Sequence, residues 1–184
     1  MVEWGVIGGV AIAALWIKGT HDRLIRLDER CRSARADVDT FLARRHDLIP
    51  GLVETVKGAA GHERGVLTAV CEAQAAALGA MGADKMKAEA QLTATINNVL
   101  QQAQRWPELR ALPAFERFRA DLIDAEEKIA GARRFFNLTV GEFNATLRQF
   151  PGSLLGRMSG LARQDPFDLG LDRVFASEPA VVRF

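Results

Sequence analysis

The chain has 184 residues, with 24 Lys and Arg against 23 Asp and Glu, 48% apolar residues, 7% aromatics and six prolines. The near-neutral charge argues against a protein built around nucleic acid, and the composition is typical of an α-helical chain. Cys31 and Cys71 are too few for a disulfide scaffold, so we interpret both as small buried hydrophobic residues, with a single disulfide or a reactive thiol as the alternative.

The first predicted element is an apolar N-terminal helix. Glu3 is the only charged residue between Val2 and Ile17. As a helix, residues 2–17 span about 24 Å, short of the roughly 30 Å hydrocarbon core, although local thinning of the bilayer can absorb the difference. We predict an uncleaved membrane anchor over residues 1–20, with a cleaved signal peptide or a buried soluble helix as alternatives. The predicted anchor residues are Trp4, Ile7, Ile12, Leu15, Trp16 and Ile17.

Basic residues follow the apolar run, and no basic side chain precedes it. By the positive-inside rule, the N-terminus is expected outside and the long C-terminal part in the cytoplasm. These residues are Lys18, Arg23, Arg26, Arg30, Arg32 and Arg35.

Apolar residues then recur at alternating steps of three and four, which predicts an amphipathic helix over residues 21–46. The recurring residues are Leu24, Leu27, Cys31, Ala34, Val38 and Phe41. Asp47 is a good N-cap, and Pro50 would then fall in the first turn of a new helix. We expect a break near residues 46–49, with a continuous helix through Pro50 as the alternative.

Three further helices are predicted. The second ends near Gly79, the third runs from Asp84 to about Trp106, and the fourth occupies residues 113–150 before Pro151 and Gly152. The expected fold is all-α: a transmembrane helix followed by an antiparallel up-and-down four-helix bundle over residues 21–162 and an irregular tail over residues 163–184. Residues 153–162 are amphipathic and are expected to pack on the bundle or, alternatively, to lie on the membrane.

No catalytic, cofactor or metal site is predicted. The Glu-x-x-His pairing of di-iron bundles is absent, and the zinc pattern that begins at His62 fails at Val66. Polar residues cluster at the expected break and on the fourth helix, where asparagines can fix helix register and arginines can pair with facing acids, or both can form a docking surface. The candidate interaction surface comprises Arg44, Arg45, Asp47, Arg133, Arg134, Asn137 and Asn144.

Two long blocks, "RRHDLIPGLVETVKG" followed by "HE", and "ARRFFNLTVGEFNATLRQFP", resemble the LemA family, and the resemblance extends to the closing "AVVRF". It implies a small bacterial membrane protein with one N-terminal transmembrane helix, a cytoplasmic antiparallel helical bundle and no known catalytic activity. The chain departs from the family at Phe136 and Phe143, where tyrosine is usual. The family's recurring residues correspond to Arg45, Asp47, Leu48, Ile49, Pro50, Leu52, Val53, Val56, Ala132, Arg133, Arg134, Asn137, Val140, Asn144, Phe150 and Pro151.

Together, these features predict a non-enzymatic interaction or scaffold protein of the bacterial inner membrane. Its expected partners are the lipid bilayer and other membrane or cytoplasmic proteins, with self-association among the options and nucleic acid excluded. No cofactor is expected. The alternative function is membrane organisation or remodelling through the anchor and residues 153–162.

Overall fold

The computed structural model describes residues 2–59, 64–103 and 105–167, and every regular element in these ranges is an α-helix. The prediction of an all-α chain is confirmed. The helices are α1 (Val2–Ala59), α2 (Arg64–Gly79), α3 (Gly82–Ala103), α4 (Pro107–Arg110), α5 (Pro113–Arg148) and α6 (Gly152–Met158).

The break predicted near residues 46–49 is wrong, because α1 continues through Pro50. Proline has no N–H, so within the helix the carbonyl of His46 loses its usual hydrogen-bond donor. A side chain of α2 replaces this donor: Gln74 Nε2 donates to His46 O at 3.1 Å. The tertiary contact therefore offsets part of the cost of a proline inside the helix.

Helices α1 and α5 form a long antiparallel pair. Arg23, early in α1, pairs with Glu142, late in α5, at 3.0 Å between Nη2 and Oε1. Near the other end, a Cβ atom at Gly51 would come within 2.5 Å of the Phe118 ring. Glycine at this position therefore allows the two helices to approach closely.

Buried side chains form two clusters along this pair. The first joins α1 and α5 to α2, α3 and α4 through Ile49, Leu52, Val53, Val56, Leu67, Val70, Ala77, Leu92, Ile96, Val99, Ala103, Leu109, Phe115 and Leu122. The second lies between the opposite ends of α1 and α5 and contains Leu24, Leu27, Cys31, Ala34, Val38, Leu42, Ile129, Phe136, Val140 and Phe143. The heptad positions predicted in the first helix are thus core positions, apart from Phe41, which is partly buried.

One position predicted to be buried, Cys71, is exposed, and so is Phe150. Cys71 lies on the outward face of α2, so its interpretation as a buried residue is wrong. Phe150 lies beyond the end of α5 and is therefore not on the buried face of that helix; it is 69% exposed. Cys31 is buried as expected, and burial raises the pKa of its thiol.

Residues 2–20 form the first turns of α1, here called the arm. The side chains of Ile7, Ile12, Leu15, Trp16 and Ile17 are exposed on it. Among the described residues, no helix is both long and apolar enough to cross a membrane. The membrane anchor over residues 1–20 therefore stays a prediction.

The short helix α6 packs on the end of α5 through its glycines. A Cβ atom at Gly156 would clash with the side chain of Leu147, and one at Gly152 would clash with the carbonyl of Thr146. Residues 161–167 follow without helical structure. Most of the predicted irregular tail, residues 168–184, lies outside the described residues.

Candidate functional site

A buried ionic cluster links α1, α3 and α5, and its centre is Arg45. This side chain is fully buried. Its Nη1 atom donates to Glu126 Oε1 at 2.6 Å and to Thr93 Oγ1 at 2.5 Å, and its Nη2 atom pairs with Glu89 Oε2. One guanidinium thus binds acceptors on two other helices, which is the geometry that makes arginine suitable for a buried position.

The second carboxylate oxygen of Glu89 is also paired. His46 Nε2 lies 3.1 Å from Glu89 Oε1. Burial acts to raise the pKa of Glu89, but the hydrogen bond to His46 and the positive charge of Arg45 outweigh it, so the pKa is lowered overall. Glu89 is therefore held as a carboxylate inside the bundle.

Arg133 lies at the edge of the same cluster. Its Nε and Nη2 atoms are buried without a hydrogen-bond partner among the described residues. Burial is the main cause that lowers its pKa, the charge of Arg45 adds to the effect, and Glu126 and Glu89 partly oppose it. Its charge is thus compensated through space rather than by direct contact.

The chemistry of this ionic cluster favours structure over catalysis. Its carboxylates are occupied by arginine and histidine and are shielded from solvent to different extents, with Glu89 1% and Glu126 29% exposed at the side chain. In the part of the chain that the structure describes, no group of three or more His, Cys, Asp or Glu could hold a metal ion. The cluster fixes the register of three helices relative to one another.

A second polar site, the asparagine clamp, holds the segment after α6. Asn144 donates from Nδ2 to Gln164 O at 2.8 Å and accepts from Gln164 N at 3.1 Å. Asn137 makes the same pair of bonds with Phe167, at 3.0 Å and 2.8 Å. Each asparagine amide thus hydrogen-bonds both the N–H and the C=O of one residue in the bound segment.

Side-chain contacts complete the clamp. Gln164 Nε2 donates to Asp28 Oδ1 at 2.8 Å. The Phe167 ring packs on Phe136 with 4.6 Å between centroids, and the Arg35 guanidinium lies 6.0 Å from the Phe167 centroid. The clamp therefore lies in a groove formed by α1 and α5 together.

An apolar collar lies at the base of the arm, comprising Trp16, Phe150, Leu154 and Met158. The Trp16 and Phe150 rings are in contact, with 5.9 Å between centroids. Leu154 is 54% and Met158 76% exposed. Helix α6 turns its glycines and Leu155 toward the core and leaves Leu154 and Met158 on its outer face.

The predicted interaction surface is thus divided among different environments. Arg45 is buried and cannot face a partner, which corrects its assignment to a surface. Arg44, Asp47 and Arg134 are exposed, Arg133 is half-buried, and Asn137 and Asn144 bind the chain's own tail.

Sequence reasoning missed the acids of the ionic cluster. Glu89 shares a helical stripe with Leu92 and Ile96, so an acid among core positions was a visible signal. Glu126 directly follows the core residue Ala125 and gave no comparable signal. Gln74, which replaces the donor lost at Pro50, is also unmarked in the sequence.

Comparison with known proteins gives one informative result. The sequence profile of the LemA family matches residues 34–184, which include the ionic cluster and both asparagines of the clamp. No curated protein matches the chain.

Proposed function

Because the chain belongs to the LemA family, we propose that it is a non-enzymatic interaction or scaffold protein of the bacterial inner membrane. The arm holds an antiparallel four-helix bundle at the bilayer, with the N-terminus outside and the bundle in the cytoplasm. The exposed polar residues of the bundle bind other membrane or cytoplasmic proteins. The proposed function needs no cofactor.

The observation that carries the proposal is the exposure of the arm. Large apolar side chains on residues 7–17 project from the helix, with no cover among the described residues except the contact of Trp16 with Phe150. Exposed apolar patches of this kind are typical of membrane or protein interfaces. Lys18 follows the patch, where it can bind anionic headgroups.

Fractionation of cells that express the full-length chain tests the membrane part. An Ile12→Asp/Leu15→Asp variant is expected to move from the membrane to the soluble fraction, because two buried carboxylates oppose insertion. Leu138→Asp, at an exposed apolar position of α5 remote from the arm, is the matched control and is expected to stay with the membrane. Resistance of the wild type to carbonate extraction separates a spanning arm from a surface-bound one. Wild type found in the soluble fraction would contradict the proposal.

Cross-linking in intact cells tests the scaffold part. Wild type is expected to give reproducible cross-linked partners, and Arg44→Glu/Arg134→Glu is expected to reduce them by reversing two exposed charges. Arg110→Glu/Arg117→Glu, at exposed positions of α4 and α5, changes the net charge by the same amount and is the control. The absence of any reproducible partner with wild type would count against the scaffold role.

A second candidate function is membrane organisation, and the collar favours it. Phe150, Leu154 and Met158 continue the apolar surface of the arm onto α6, flanked by Arg148 and Arg157. A basic and apolar surface next to an anchor can lie in the headgroup layer. Flotation with anionic vesicles tests this in chains whose arm carries Ile12→Asp/Leu15→Asp. With the native collar, this chain is expected to bind the vesicles, and with Leu154→Ser/Met158→Ser added, it is expected to lose that binding. Equal binding by both proteins excludes the collar as a lipid site.

A further inference from the structure

We propose that the asparagine clamp is a binding site for an extended peptide of a partner protein, of the form Gln-x-x-aromatic. In this structure, the chain's own residues 164–167 occupy the site. The inference names the partner class of the proposed scaffold protein and rests on that proposal.

The spacing of the clamp selects an extended ligand. Asn137 and Asn144 are two helical turns apart on α5, a distance of about 10.5 Å. The residues that they bind, Gln164 and Phe167, are three apart, and an extended backbone covers about 10 Å in three residues. The bound segment runs antiparallel to α5, since Gln164 meets Asn144 and Phe167 meets Asn137. A helical segment would cover less than half that distance.

The four amide bonds recognise main chain and are therefore independent of ligand sequence. Donor and acceptor of each asparagine bond the N–H and C=O of a single ligand residue. This two-point contact is how an edge strand binds an extended peptide, and here side chains of a helix supply it. It makes the groove suitable for peptide rather than for a small molecule.

Two side-chain contacts supply specificity. Asp28 accepts a hydrogen bond from the Gln164 amide. Phe136 and Arg35 receive the aromatic ring of Phe167 from two sides. A ligand with glutamine at the first position and an aromatic residue three positions later satisfies both, whereas the two intervening residues are exposed and free to vary.

The proposal requires the occupying segment to leave the groove when a partner peptide binds. The segment has no regular structure of its own and follows the turn at Gly160, whose φ of +67° is in the left-handed region that favours glycine. Within the described part of the tail, attachment depends on the two asparagines, Gln164 and the packing of Phe167 and Leu161. The own segment thus competes, at high effective concentration, with peptides that arrive in trans.

Peptide binding by the full-length chain in detergent tests the inference. The probe is a fluorescent synthetic peptide with the sequence of residues 161–167, LARQDPF. A Phe167→Ala chain, whose own segment has lost its aromatic anchor, is expected to bind the probe at least tenfold more tightly than wild type. A probe with alanine in place of its glutamine and phenylalanine is expected not to bind.

Variants of the two clamp asparagines test whether the probe binds in this groove. In the Phe167→Ala chain, Asn137→Asp/Asn144→Asp replaces each donor with a carboxylate oxygen and is expected to weaken probe binding at least tenfold. Asn97→Asp/Asn98→Asp, at exposed positions of α3, adds the same charge as the matched control and is expected to leave binding unchanged. Gln164→Ala removes the hydrogen bond to Asp28 and so weakens binding of the chain's own segment. It replaces Phe167→Ala as the opened chain if Phe167→Ala does not fold.

Equal affinity of wild type and both opened chains for the probe would overturn the inference, as would binding that survives Asn137→Asp/Asn144→Asp. Dimerisation of wild type by exchange of this segment, with no affinity of the opened chains for the probe, would also overturn it. Because the assay contains no membrane, its failure leaves the fractionation test of the arm unaffected.

Discussion

Arg45 illustrates how a charged residue is accommodated in the interior of a helical bundle. Its guanidinium is fully buried, yet it binds carboxylates on both α3 and α5 as well as the Thr93 hydroxyl. Such a cluster stabilises the fold less than an apolar core of equal volume would, but it penalises every packing that separates the partners. Its main effect is therefore on the specificity of helix register.

Loss of Arg45 alone is expected to destabilise the fold strongly. Arg45→Ala leaves the Glu89 carboxylate buried without its guanidinium, at a cost of roughly 3–5 kcal/mol in the free energy of unfolding. Arg45→Met/Glu89→Leu removes both charges and is expected to cost less than the sum of the two single variants. Urea denaturation of wild type, Arg45→Met, Glu89→Leu and the double variant completes the cycle, and additive losses would contradict a coupled pair.

Glu89 predicts a specific dependence of stability on pH. Because its pKa in the folded chain lies below the ordinary value of 4.5, the unfolded chain takes up a proton at higher pH than the folded chain does. Its contribution is therefore fully present above that ordinary value and is lost as pH falls through the folded-state pKa. Thermal unfolding at a series of acidic pH values should show a flatter decline for Glu89→Gln than for wild type. Parallel declines would exclude this role.

Burial of Arg45 could not be predicted from its own neighbourhood in the sequence. It lies beside Arg44 and His46, and arginine is rarely fully buried. The acids that make burial tolerable come from helices 44 and 81 positions further along the chain. Only the acid on the apolar stripe of α3, Glu89, was visible as an anomaly in the sequence.

At the scale of elements, Pro50 shows how a tertiary contact overrides a local signal. The sequence around Asp47 and Pro50 has the pattern of a helix start, and it misled the prediction because Gln74 supplies the hydrogen bond that proline cannot. The apolar positions predicted over residues 21–46 were reliable, since they directly report the face of α1 that packs. The helical boundaries near Gly79, Pro113 and Arg148 followed from local breakers.

The role of Gln74 can be measured in two backgrounds. Gln74→Leu is expected to cost about 1 kcal/mol in the native background, because it leaves the His46 carbonyl without a donor. In a Pro50→Ala chain, the new N–H can bond that carbonyl, so the same substitution is expected to cost less. Equal losses in both backgrounds, measured by urea denaturation, would show that the Gln74 contact does not compensate for the proline.

At the scale of the molecule, the chain divides into a packed bundle and an exposed apolar end. The buried stripes and the all-α class were accessible from the sequence, as was the family. Two other features depend on how separate elements meet. One is the exposure of Leu154 and Met158 on α6, and the other is the pairing of Asn137 and Asn144 with the tail. We propose that the arm and collar form an end that binds lipid and that the clamp forms a groove that binds peptide.

Quenching of Trp16 fluorescence by brominated lipids tests the membrane assignment most directly. The full-length chain with Trp4→Phe and Trp106→Phe retains Trp16 alone and is reconstituted in vesicles. A Leu138→Trp chain that lacks the three native tryptophans reports on α5 as the matched control. The account predicts strong quenching of Trp16 and none at position 138. Trp16 fluorescence that is unchanged by brominated lipid would contradict it.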